Sequence, residues 1–321
     1  KNQNNLKSSA GGCNVDAVCL VNEDEQGNHP NHSDKIRATA RMTYRDDSNG
    51  LFRLCSGTLI NNGSQDGRPY FLTANHCVDS DNEASTVNTY WAYQRACCTA
   101  PAPNLDNAIG NAVIRATWEV TDFTLLELAF TPTSEMAPYW SGWDRTQNSL
   151  FSAVGVHHPQ GDVKKISYRD SGVQVVNGPA NDPVLRPDAQ YVLVSPWSLG
   201  TTEGGSSGSA LWNSANQIVG QLRGGNASCA NPSGSDYYGW MGQSWEGGGA
   251  AENRLRDWLD PNNLGLTTMN GFDFINQTAN AGNLHCGTIP PPSGGGNGGL
   301  LLLLGLLIAP IRRLLAPTAQ L

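Results

Sequence analysis

Glu203-Gly204-Gly205-Ser206-Ser207-Gly208-Ser209-Ala210-Leu211 is the stretch on which the reading of this 321-residue chain turns. Its glycines let the backbone bend sharply through positive φ. Ala210-Leu211-Trp212 then continues as an apolar, strand-like run. A serine carried on such a turn can stand exposed while neighbouring N–H groups converge on one point. Acyl transfer needs that pairing of a nucleophile with preorganised oxyanion donors. Gly/Ser clusters are more often plain loops, so the reading depends on a histidine and a carboxylate elsewhere.

Tyr70-Phe71-Leu72-Thr73-Ala74-Asn75-His76-Cys77 supplies the histidine. The apolar strand ends at His76, and a disulfide at Cys77 would hold an imidazole for which a displacement of about 1 Å is costly. Thr121-Asp122 followed by Phe123-Thr124-Leu125-Leu126-Glu127-Leu128 supplies the carboxylate at the mouth of an apolar strand. There Asp122 can be buried and accept the imidazole Nδ1–H, which fixes the tautomer. Glu127 stands in odd register from Asp122 and faces the other side of the strand, toward solvent. His29 and His32 lie in a polar stretch and His285 near a linker, while His157-His158-Pro159 reads as a structural pair at a strand end.

Around these residues short apolar runs alternate with Gly/Asn turns: 36–44, 51–60, 70–74, 87–94, 111–118 and 122–128, then 150–156, 163–168, 173–176, 191–194, 209–212 and 217–222. Many short strands predict an all-β barrel or sandwich. One helix is expected over Ala250–Asp260, with Leu255, Trp258 and Leu259 on one face and Pro261 ending it. A formal net charge of -8 and no basic, aromatic-interleaved patch exclude a nucleic-acid binder. The eight cysteines have no zinc-like spacing and imply disulfides in an oxidising compartment.

His76, Asp122 and Ser209 follow the chymotrypsin order among convergent triads. With that order go Gly11-Gly12-Cys13-Asn14-Val15-Asp16, Tyr90-Trp91-Ala92-Tyr93-Gln94, Gly142-Trp143-Asp144-Arg145, Gln221-Leu222-Arg223-Gly224-Gly225 and Arg256-Asp257-Trp258-Leu259-Asp260-Pro261. In these motifs the chain resembles the bacterial lysyl endopeptidases of the trypsin-like superfamily, over roughly residues 8–275. The resemblance implies a chymotrypsin-like double β-barrel with a C-terminal helix, and a monomeric, cofactor-free serine endopeptidase acting on proteins and peptides. It implies His76 as general base, Asp122 as its orienter, Ser209 as nucleophile, and the N–H groups of Ser207 and Ser209 as the oxyanion hole. It further implies the disulfides Cys13–Cys229, Cys19–Cys98 and Cys55–Cys77; Cys97 and Cys286 are then left to pair by arithmetic.

A protease that reads lysine needs a carboxylate at the base of its P1 pocket, because an unpaired cation is costly to desolvate. The resemblance implies Asp236 in that role. Glu203, six residues before the nucleophile where trypsin keeps its pocket aspartate, is the alternative and otherwise serves the loop. Where the family has a histidine near its catalytic histidine this chain has Arg223, a possible modulator of activity or subsite preference that leaves a mixed Lys/Arg enzyme open. A non-catalytic binding protein on the same scaffold is the reading from another class, and the intact His/Asp/Ser set speaks against it.

Gly208 precedes the nucleophile, so the trypsin activation pairing with an aspartate at that position cannot operate. Family spacing from Cys13 implies that residues 1–7 are a propeptide remnant removed after Lys7, leaving a protease domain at 8–275. Residues 276–299 form an extension and a Pro/Gly-rich linker. Leu300 to Ile311 is apolar, broken only by Gly305 and Pro310, and is followed by Arg312-Arg313. That run is shorter than the roughly 20 residues needed to span a bilayer. The tail, 300–321, resembles a glycine-glycine C-terminal sorting signal of Gram-negative bacteria, which implies transient membrane association, removal by a rhomboid-type protease, and a secreted or cell-surface enzyme.

Overall fold

The first strand, β1 (Val15–Asp16), pairs far along the chain with Lys165 and Ile166. The computed structural model describes residues 9–22 and 32–279, apart from Thr99, Asn148, Asn181 and Pro183. Strands β2 (Thr39–Arg45), β3 (Phe52–Leu59), β4 (Tyr70–Ala74), β5 (Asn88–Tyr90), β6 (Ala108–Gly110), β7 (Ala112–Trp118) and β8 (Phe123–Leu128) form one antiparallel sheet. Their order is β6-β5-β2-β3-β4-β8-β7.

A second sheet takes β9 (Gly142–Asp144), β10 (Phe151–His157), β11 (Lys165–Asn177), β12 (Gln190–Val194), β13 (Ala210–Trp212), β14 (Gln217–Gly225), β15 (Asp236–Trp240) and β16 (Thr268–Met269). Six of these run in the order β13-β10-β11-β12-β15-β14, and the pairing of β13 with β14 closes them into a barrel. The fold is thus mostly β, with one closed six-stranded barrel and one half-barrel.

Alternation along β4 explains why this strand is buried on both faces. Phe71 packs into the core of the first sheet with Met42, Trp91 and Leu126. Leu72 points the other way, into a cluster shared with Leu125, Ile166, Trp212 and Trp245 of both units. The end of β4, with His76 just beyond it, therefore lies at the seam between the sheets. A third cluster, with Val192, Val194, Leu211, Val219 and Tyr238, fills the closed barrel.

The helix expected over 250–260 is not continuous. A 3₁₀ turn at Ala251–Asn253 and a short helix at Arg256–Leu259 are separated by extended backbone at Arg254 (φ -146°, ψ 152°). There Leu255 N–H donates to Ser244 O rather than up its own helix, at 3.0 Å. Leu255 and Leu259 are nonetheless buried as expected. The runs at 163–168 and 173–176 are one long strand, β11, and the start of the run at 36–44 is a short helix, Ser33–Ala38. No helix among the described residues is long and apolar enough to cross a membrane.

Candidate active site

Cys77 is bonded to Cys55 on β3, which fixes the turn that follows β4. His76 on that turn points its Nδ1 at Asp122 Oδ2, 2.8 Å away. The same carboxylate accepts the His76 backbone N–H through Oδ1 at 2.9 Å, and Asn75 N–H donates to the Asp122 carbonyl at 2.9 Å. Asp122 stands between β7 and β8 with φ +59°, a left-handed conformation unusual outside glycine. Gln221 Nε2 holds this turn to β14 by donating to Thr121 O at 2.8 Å. The Asp122 side chain is 4% exposed and that of His76 31%, so of this pair the imidazole is the one open to solvent.

Gly208 has φ +81°, and a Cβ there would lie 2.3 Å from Thr73 Oγ1 and 2.7 Å from Ala74 N. Only glycine lets the 203–209 turn press onto the end of β4 beside His76. Ser209 follows at the head of β13, with its Oγ buried. Beside it packs Tyr238, whose hydroxyl burial holds protonated well beyond the ordinary phenol range.

Ser209 N–H donates to Ser206 O at 3.1 Å, closing a tight turn. The Ser206 hydroxyl meets His157 Nδ1 at 2.8 Å, and His157 Nε2 meets Ser167 Oγ at 3.0 Å. Burial lowers His157 to about 3, so it is a neutral buttress of the 203–209 turn. His158, likewise buried, bonds Asp162 O at 2.9 Å and stacks on Tyr93.

Asp236, the first residue of β15, is fully buried. Its Oδ2 accepts from Trp197 Nε1 at 2.6 Å and Thr202 Oγ1 at 2.8 Å, while Oδ1 has no partner among the described residues. Burial raises this carboxyl to about 6, against those two hydrogen bonds. A cleft of about 360 Å³ has Ser207, Gly225, Ala227 and Ser228 in its walls together with Thr202, the hydrogen-bond partner of Asp236. A Cβ on Gly225 would come within 2.7 Å of Asp236 Oδ1, so glycine keeps the floor thin over the orphaned oxygen. Glu203 also borders the cleft, but its Oε2 accepts from Gly11 N–H and Asn14 Nδ2, both at 2.9 Å. That carboxylate clamps the N-terminal segment, beside the Cys13–Cys229 disulfide.

Cys19 is bonded to Cys98, and Cys97 is also in a disulfide. Cys286, residues 1–7 and the tail lie outside the described residues. Cys55, His76 and Cys77 offer ligand atoms within 4.8 Å of one another, but both sulfurs are in the disulfide and offer no thiolate to a metal.

Residues 7–239 match the family described as lysyl endopeptidase, C-terminal domain. The chain belongs to this family. It is 31% identical over 241 residues to a lysyl endopeptidase of Pseudomonas aeruginosa, a match covering 72% of this chain and 49% of that protein. The chain thus spans about half the length of that relative. Among solved structures it is similar to the Rv3671c protease of M. tuberculosis in its active form (TM-score 0.47, 14% identity, covering 73% of this chain and 88% of that one). It is also similar to the protease Anisep of Arthrobacter nicotinovorans (TM-score 0.46, 16% identity, covering 64% and 91%).

In this lysyl endopeptidase family member Arg223 sits on a bulge of β14, where pairing with β15 slips between Leu222 and Gly224. Bulges re-aim side chains, and this guanidinium reaches Asp122 Oδ2 at 3.8 Å and Val184 O at 3.3 Å. Trp197 and Thr202 carry no signal in the sequence, because they are joined to Asp236 only by contacts across 39 and 34 residues and no local motif marks them.

Proposed function

We propose that the chain is a serine endopeptidase that cuts on the carboxyl side of lysine. The observation that carries this reading is the buried, half-satisfied Asp236 carboxylate, whose partner Thr202 walls a cleft bordered by Ser207, two residues from Ser209. In this account a lysine side chain lies in the cleft and its ammonium pairs with Asp236 Oδ1. His76 Nε2 takes the proton of Ser209 Oγ as that oxygen attacks the scissile carbonyl, and Asp122 stabilises the imidazolium. His76 then protonates the leaving amine, and water hydrolyses the acyl-enzyme by the same route.

Oxyanion stabilisation requires the Ser206–Ser207 peptide to turn, withdrawing the Ser206 carbonyl from Ser209 N–H and presenting the N–H groups of Ser207 and Ser209. Arginine in the cleft is the second reading; its planar fork reaches the same oxygen but demands more width. The disulfides support an extracellular enzyme. A fluorophosphonate probe followed by peptide mapping tests the chemistry. Adduct on Ser209, lost in His76→Ala, is expected; an unlabelled Ser209 in folded protein, or hydrolysis surviving Ser209→Ala, rejects it.

A further inference from the structure

His157, the last residue of β10, takes no part in the chemistry proposed above and is fully buried. Along β10, Val154 and Val156 enter the core shared by both units, so alternation turns His157 to the other face. There it lies between Ser167 of β11 and Ser206 of the 203–209 turn, both of them fully buried.

The partners fix where each proton sits. Ser167 Oγ donates to Thr201 O at 2.7 Å, so it accepts from His157 Nε2–H at 3.0 Å. A neutral imidazole then has its acceptor at Nδ1, which receives the Ser206 hydroxyl proton at 2.8 Å. Ser206 Oγ in turn accepts Glu203 N–H at 3.2 Å. One directed chain therefore runs from Glu203 N–H through Ser206, His157 and Ser167 to Thr201 O.

Both ends of this chain close on one short segment, residues 201–206. Between them lies Thr202, whose Oγ1 donates to Asp236 Oδ2 at 2.8 Å. At the far end Ser206 N–H donates to Glu203 O at 2.9 Å. The imidazole thus braces the wall that holds the Asp236 carboxylate against the turn that leads to Ser209. Apolar side chains of the same shape would fill this space at little or no cost in stability. What the hydrogen-bonded chain adds is direction, since it fixes the Ser206 side chain and the separation of Thr201 from Ser206. Rotation of the Ser206–Ser207 peptide plane, which oxyanion stabilisation requires, moves neither the Ser206 hydroxyl nor its N–H.

We infer that His157 is a positioning residue for the peptidase reaction, holding the 201–206 segment so that the oxyanion donors of the turn can form. The inference rests on the peptidase reading above, and the experiment separates the two. The unsubstituted protein, His157→Leu and His157→Gln would be compared on a lysine peptide amide, and on inhibition by the same peptide ending in lysinal or lysinol. Glutamine offers one acceptor and one donor, as the neutral imidazole does, whereas leucine offers neither. His157→Leu should lower kcat about 30-fold with KM changed less than about twofold, and weaken the aldehyde, whose adduct carries the oxyanion, by a similar factor while the alcohol binds as before. His157→Gln should bring kcat back to within about threefold of the unsubstituted protein. Should His157→Leu fail to fold, Ser206→Ala breaks the same chain and carries the same expectation. Unchanged kcat, equal losses with Leu and Gln, or aldehyde and alcohol weakened alike would reduce His157 to a packing role and overturn the inference, while the activity of the unsubstituted protein upholds the peptidase reading. An unsubstituted protein that cleaves no lysine peptide overturns both.

Discussion

Burial raises Asp236 to about 6, and the sign of that shift sets its effect on stability. The native protein holds the proton between about pH 4 and pH 6, where the unfolded chain has lost it. Stability therefore falls as pH rises through this window, and the full cost, on the order of 3 kcal/mol, is present above about pH 6. On the proposed reading a bound lysine ammonium would relieve that cost and turn the unfavourable burial of the carboxylate into selectivity. Asp236→Asn should raise Tm by several degrees at pH 8 and much less at pH 4, while lowering kcat/KM for lysine peptides by more than about 100-fold. Thermal scans at both pH values with parallel kinetics check this; an unchanged lysine preference would transfer the role to Glu203.

At the scale of elements, the Cys55–Cys77 bond joins β3 to the turn that carries His76, with a sequence separation of 22. Replacing both cysteines by alanine should cost about 3 kcal/mol. It should also lower kcat more than it raises KM, because the imidazole loses its fixed position. Denaturant titration and steady-state kinetics measure the two effects; unchanged kcat would mean that Asp122 alone positions the ring. β4 was legible in the sequence, bounds included, because five apolar or β-forming residues in a row lie between clear turn signals. The Ala250–Asp260 helix misled because its apolar spacing was real while Arg254 is held extended and Leu255 N–H is claimed by Ser244. The meeting of His76 with Asp122 could be read from two strand ends, and the bend before Ser209 from its glycines. The closed Ser206–Ser209 turn could not, since one peptide orientation decides it and both orientations suit the same residues. Nor could Trp197 and Thr202 as partners of Asp236, which lie 39 and 34 residues away.

Over the whole molecule, Lys164 ties the two units together. Its buried ammonium donates to Ile36 O at 2.5 Å and Gln94 Oε1 at 2.9 Å, and its backbone bonds Tyr93 O and Ala17 N–H. Burial lowers this lysine from 10.5 to about 7. Between pH 7 and about 10 the unfolded chain keeps a proton the native protein has released, so this group makes stability rise with pH. Calorimetry should give a higher Tm at pH 9.5 than at pH 7, and Lys164→Met should flatten that rise; an unaltered slope would mean the ammonium stays charged at the seam. A glycine turn at Gly208 meets the end of β4, and Asp122 meets His76 just beyond that end; with Asp236, lysine-directed cleavage is the proposal they carry. The most direct test is kcat/KM for matched peptides differing only in P1 Lys, Arg or Glu, measured with the unsubstituted protein and with Asp236→Asn. The account predicts efficient cleavage after Lys, slower cleavage after Arg, none after Glu, and loss of the Lys advantage in the variant. Equal cleavage of all three, or a Lys preference untouched by Asp236→Asn, would contradict it.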